Sequence, residues 1–286
     1  MGHDDQDWQD DIEQSRARMT ICIAAACLEK GRYRIVTCAD WLSTTAIGAS
    51  DTTLKTLQLP KGFACLTSGA EHEILACYEI FKRKFGDASV IDETTLKPLV
   101  EECLRERRYQ KCDEYIYGKC SFSYDFFLQK GKEVLPTELF REHSFHISAI
   151  KLDAEFVIAG FAPDETSTLI ETQKDCTALI REDYAVAGSG AYLAMAALLN
   201  RGQNYGRPLG PSIYCVYEAK RYAENNRSVG KTTSLQVMFP KIALPVRVDT
   251  DKLKVLANQF KLLGPQPVSS DIDAAEYIDM PSETES

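Results

Sequence analysis

The stretch Thr20-Ile21-Cys22-Ile23-Ala24-Ala25-Ala26-Cys27-Leu28 decides the reading of this 286-residue chain. After Thr20 every position is apolar, with no polar alternation, so the segment reads as a strand buried on both faces. Glu29-Lys30-Gly31-Arg32 supplies a turn, and Tyr33–Ala39 a second strand that ends in Asp40. Lys55 follows beyond a polar segment, and Met19 precedes Thr20. A chain whose working form begins at Thr20 carries a hydroxyl nucleophile and a free α-amine on one residue. That amine, with an ordinary pKa near ~8, can take the hydroxyl proton, so the nucleophile needs no histidine.

Composition bounds the rest. The length suits one large domain or two small ones, and 44% hydrophobic residues are enough for a real core. A net charge of −9 argues against a nucleic-acid partner. The basic runs Lys82-Arg83-Lys84 and Arg105–Arg108 are short and read as solvated helix faces. Ten cysteines show no C-x-x-C pairing, and the acidic N-terminus has no apolar segment of the signal-peptide kind. The longest apolar run, Ile21–Leu28, is too short to span a bilayer. Reduced thiols in a cytoplasmic protein follow, with Cys22, Cys27, Cys38 and Cys65 as small buried hydrophobes.

Residues 1–19 are rich in Asp and Glu and read as a flexible leader or a misassigned start; 264–286 read as a disordered acidic tail. Between them, Ser43–Thr53 reads as a loop, and Lys55–Leu59 and Gly62–Thr67 as strands. Glu71–Phe85 shows helical periodicity, as does Asp92–Tyr117, where the Asp is a natural cap. Leu135, Leu139, Phe140, His143, Ile147 and Ile150 recur at helical spacing, which makes 105–150 a helical insertion. Strands resume at Glu155–Ala159, Thr168–Glu171 and Tyr184–Ala187. Gly188-Ser189-Gly190 then leads into an Ala-rich helix. Pro211–Asn226 reads as the next helix, and Leu235–Phe239 and Ile242–Val248 as closing strands. Helices outside antiparallel sheets fit this order.

Five pieces in this order resemble one family. They are Met19-Thr20-Ile21-Cys22-Ile23-Ala24, Ala39-Asp40 with Lys55, Thr67-Ser68-Gly69, Gly188-Ser189-Gly190, and Asn226-Arg227-Ser228-Val229-Gly230. Together they resemble proteasome β-type subunits of the N-terminal-nucleophile hydrolases, closest to the bacterial Anbu kind. The resemblance implies an α+β, four-layer αββα sandwich spanning 20–263. It also implies roles. Thr20 would attack an amide carbonyl, with its own amine as base. Lys55 would lower the hydroxyl pKa, and Asp40 would hold Lys55 charged and aimed. The Gly69 N–H would form the oxyanion hole, and Ser189 would relay protons near the amine. Asn226 stands where the family usually has Asp, and Ser228 would serve the same network. Peptide or other amide substrates and self-association into a ring or stack are implied as well; an unfoldase partner stays unassigned. No cofactor or metal is required, since nucleophile, base and oxyanion donor all come from the chain.

Other readings compete with this one. Asp40 and Lys55 are also what a structural ion pair would look like. Gly188-Ser189-Gly190 lacks the rest of a dinucleotide fingerprint, so nucleotide binding is rejected. His143 and His146 are spaced for a metal but lack a third ligand. Self-processing family members usually carry Gly before the nucleophile, where this chain has Met19. Exposure of Thr20 would come from autolysis, or from translation starting at Met19 followed by removal of that methionine. A chain that keeps its leader would be a non-catalytic assembly subunit. A small-molecule amidase of the same fold is the third class.

Overall fold

The computed structural model describes residues 20–40, 55–226, 229–242 and 244–265, together with the backbone at 43–45 and 48–50. The strands are β1 (Cys22–Glu29), β2 (Arg32–Asp40), β3 (Ser43–Thr45), β4 (Gly48–Ser50), β5 (Thr56–Gln58) and β6 (Ala64–Gly69). They continue as β7 (Ala154–Phe161), β8 (Ser167–Thr172), β9 (Ala178–Arg181), β10 (Tyr184–Ala187), β11 (Thr233–Met238) and β12 (Val246–Arg247). The helices are α1 (Glu71–Asp87), α2 (Glu93–Cys120), α3 (Tyr124–Val134), α4 (Thr137–Ala149), α5 (Ala191–Asn200), α6 (Leu209–Ala223) and α7 (Thr250–Leu263).

Two five-stranded antiparallel sheets carry the core, in the orders β10-β1-β2-β11-β12 and β5-β6-β7-β8-β9. Alternation along each strand gives every sheet an inner and an outer face. Cys22, Ala24 and Ala26 of β1 meet Leu66, Val157, Ala159 and Leu169 across the gap between the sheets. The outer face of the second sheet, with Cys65, Phe156 and Ile158, is covered by Phe81 and Phe85 of α1 and by Leu96, Val100 and Leu104 of α2. The helices α5 and α6 pack on the outer face of the first. This is the four-layer αββα order. It explains why β1 is apolar from Cys22 to Leu28: each of its faces is an interface, and burying a Val- or Ile-sized side chain is worth roughly 1.5–3 kcal/mol.

The insertion is helical, as its periodicity predicts. Asp92 caps α2, accepting from the N–H groups of Thr94 and Thr95 at 3.0 and 2.9 Å. The second half of α2, α3 and α4 enclose a small separate core of Cys112, Ile116, Phe127 and Ile147. His143 lies in that packing, with its Nδ1 3.1 Å from the Tyr115 hydroxyl.

Several boundaries differ from the sequence reading. The expected helix Pro211–Asn226 is Leu209–Ala223. Pro211 falls inside the first turn, where an N–H has no helical partner to lose. The Ile242–Val248 strand shrinks to two residues, Val246–Arg247. Short backbone strands occupy part of the Ser43–Thr53 loop. Neither β9 nor α7 was expected. Residues from Thr250 onward form a unit of their own, in which Asp251 pairs with Lys254 at 2.9 Å on α7. The leader and residues 266–286 lie outside the described residues. Among the described residues no helix is long and apolar enough to cross a membrane.

Candidate active site

Thr20 stands at the head of β1, 1% exposed, with Asp40 at the far end of the neighbouring β2. The pairing of the two strands sets their closeness, since Cys22 lies opposite Ala39. The Thr20 hydroxyl donates to Asp40 Oδ1 at 2.8 Å. Lys55 Nζ donates to that same hydroxyl oxygen and lies 3.6 Å from Asp40 Oδ1. The three residues that the sequence singled out as nucleophile, cation and aiming carboxylate are therefore in mutual contact. Lys55 sits just before β5, anchored where its carbonyl accepts from the Thr67 N–H at 2.9 Å.

Asp40 is fully buried, and its solvation comes from the protein. Oδ1 also accepts from the Ile21 N–H at 3.3 Å, and Oδ2 from the Gly230 N–H at 2.8 Å. A buried carboxylate without such donors would cost several kcal/mol. These donors solvate the carboxylate opposite the Lys55 side chain, which lies against the Thr20 hydroxyl.

The glycine turn after β10 touches Thr20 directly. Gly188 has φ +100°, and a Cβ there would fall 2.2 Å from the Thr20 carbonyl oxygen. The Gly190 N–H lies 3.4 Å from that oxygen, donating to it. Ser189 Oγ is buried and has no hydrogen-bond partner among the described residues. Asn226, just past α6, donates its side-chain N–H to the Ser189 carbonyl at 3.1 Å, so it props the turn. Gly69 ends β6 at φ +122°, where a Cβ would fall 2.3 Å from the Asp153 carbonyl oxygen. Ser68 lies beside Gly188, and the Cys22 thiol donates to Thr67 O at 3.3 Å, which brings the end of β6 to the same place. Ser228 lies outside the described residues.

Three residues went unassigned in the sequence. Gly230 was quoted in a motif but given no role. Its N–H is one of the donors that hold Asp40. Lys220, fully buried on α6, donates to Lys231 O at 2.8 Å and pairs with Glu224, clamping the segment that carries Gly230. Glu155 accepts from the Gly188 N–H at 3.3 Å. Its signal was an acid opening an otherwise apolar strand, in register with the inward-facing Val157 and Ala159.

Comparison with solved structures finds the same architecture. The Anbu Gly-1 mutant from Hyphomicrobium sp. strain MC1 superposes with a TM-score of 0.57 at 14% identity, over 85% of this chain and 93% of that one. Anbu, the ancestral β-subunit, from Yersinia bercovieri gives 0.55 at 12%, over 85% and 94%. The helical assembly of the Anbu complex from Pseudomonas aeruginosa gives 0.58 at 16%, over 88% and 100%. The fold is that of the Anbu proteins. That is the architecture the resemblance implied. No protein-family profile matches the chain, and no curated protein matches it in sequence. At these identities the Anbu likeness carries the architecture; the chemistry rests on the side chains above.

Proposed function

We propose that the protein is a threonine-type N-terminal-nucleophile hydrolase acting on peptide or other amide bonds once Thr20 is the first residue. The contact of the Thr20 hydroxyl with both Lys55 and Asp40 carries this reading. In the first step Thr20 Oγ bonds to the substrate carbonyl carbon, and its proton passes to the Thr20 amine. The Gly69 N–H faces the oxyanion, a donor worth roughly 3–4 kcal/mol in comparable sites. Collapse breaks the C–N bond, and the amine returns its proton to the leaving nitrogen. Water activated by the same amine then hydrolyses the ester and restores Thr20. Ser189, on the turn beside Thr20, and Ser228 serve the proton traffic of the amine, with Asn226 holding the turn.

The test is intact mass and N-terminal sequencing of protein from its native host, followed by a β-lactone electrophile. Chains beginning at Thr20 and acylated on Thr20 Oγ are the expected result. Chains that retain Met19 and take no label would reverse the reading. A second reading has its own observation: a Met19–Thr20 peptide bond makes the nitrogen an amide, which has no basicity to offer. Such a protein keeps the fold as an assembly subunit.

Self-association belongs to either reading. The Pseudomonas aeruginosa relative is described as a helical assembly. On this chain Tyr117 and Phe145 of the insertion and Leu199 of α5 are large apolar residues left exposed. Sedimentation velocity should show an assembly many protomers in size, and Phe145→Asp should shift it to smaller species.

A further inference from the structure

A cavity of about 380 Å³ opens beside the nucleophile, and the chemistry above does not use it. Gly188 and Glu155 form the wall nearest Thr20, and Met195 of α5 lines the other side. The link to the nucleophile is short. Gly188 abuts the Thr20 carbonyl, and Glu155 lies within electrostatic reach of Cys22, two residues along β1. Alternation with Val157 and Ala159 puts Glu155 on the inner face of its sheet, at the end where Thr20 lies.

Two of the charged groups that line this cavity are held in ion pairs. Glu171 is paired with Arg181 at 3.1 Å, and Lys174 with Asp153 at 3.5 Å. Lys151 lies within electrostatic reach of Asp175. Glu155 has no cationic partner among the described residues; one of its oxygens takes the Gly188 N–H and the other is left over. It is a half-buried carboxylate on the inner wall of a cavity with room for a long side chain.

We propose that this cavity is a substrate subsite for a cationic group, the side chain of lysine or arginine, with Glu155 as the specificity-determining carboxylate. The inference rests on Thr20 being the nucleophile that the bound substrate meets. Charge decides occupancy here, because a charge-assisted hydrogen bond to a half-buried carboxylate outweighs what a neutral chain of the same length gains.

The experiment measures binding and turnover separately on the full chain. Two fluorescent hexapeptides, alike except for one lysine or one norleucine, are titrated by anisotropy. Lysine should bind about tenfold tighter or more, as a bond to a charged group implies. Glu155→Gln, which keeps the Gly188 contact, should bring the two peptides within about twofold of each other and leave norleucine binding unchanged. Glu155→Lys should turn the preference towards a glutamate peptide. Equal binding of lysine and norleucine, no binding of either, or a lysine preference that survives Glu155→Gln overturns the subsite. If the preference and its loss are seen while wild-type protein neither cleaves the peptide nor acylates on Thr20, the hydrolase reading falls and the subsite stands.

Discussion

Asp40 faces two demands at the scale of single residues: its buried oxygens must find donors, and it must stay aimed at Thr20. Three donors meet them, from Thr20, Ile21 and Gly230, with the Lys55 ammonium 3.6 Å away. The assignments make distinct predictions. Thr20→Ala removes one donor among several, so stability should fall by about 1 kcal/mol in urea unfolding while β-lactone labelling disappears. Thr20→Ser should keep the label. Asp40→Asn leaves Lys55 without its buried counter-charge and should cost about 3 kcal/mol together with most of the labelling rate. Asp40→Asn protein as stable and as fast as wild type would make Asp40 a bystander.

At the scale of elements, the site is a meeting of strand ends and turns. Gly188 is where the β10 turn passes under the Thr20 carbonyl. Gly188→Ala should push the head of β1 aside, with loss of labelling and about 2 kcal/mol or more of stability. Lys220 acts at one remove, through the Lys231 carbonyl on the segment that bears Gly230. Lys220→Met should slow acylation of Thr20 roughly tenfold at saturating lactone without weakening lactone binding, because it loosens a positioning contact. A change confined to binding would exclude that role.

The elements also show what the sequence made legible. Thr20, Asp40 and Lys55 could be read because a run such as Ile21–Leu28 fits only a strand buried on both faces. The resemblance then set the partners' places. Gly230 and Lys220 could not be read, since a backbone N–H and a helix lysine carry no local mark of what they touch. The helix α7 was missed although Leu253, Leu256, Phe260 and Leu263 recur at helical spacing, because the chain from Gly264 onward drew the segment into the reading of a loose tail; β9 was missed because four residues are too few to show a period.

For the whole molecule, the thiols report how closed the fold is. Nine of the ten cysteines are buried and Cys120 is partly exposed. Iodoacetamide should therefore modify Cys120 first on the native protein, as peptide mapping would show. Burial pushes the Cys38 and Cys77 thiols from an ordinary 9.0 up to about 12. The folded state thus holds these protons more tightly than the unfolded chain. Their contribution is complete below pH 9.0 and is lost as pH rises from there towards about 12. Under reducing conditions the urea midpoint should drop from ~pH 9 upward; a midpoint that rises there would contradict the burial.

The bond from Gly230 to Asp40 joins positions 190 residues apart. During synthesis, Thr20 leaves the ribosome early, whereas this donor arrives only when nearly the whole folded body has been made. Until then Asp40 lacks a partner for its second oxygen, and the carboxylate that meets the Thr20 hydroxyl is not fully held. Stalled chains that end before Gly230 should accordingly take no β-lactone, whereas chains released after β11 should. Under the proposed chemistry, a nucleophile near the start of the chain is thereby armed last, and a half-made copy is no hazard to the proteins around it.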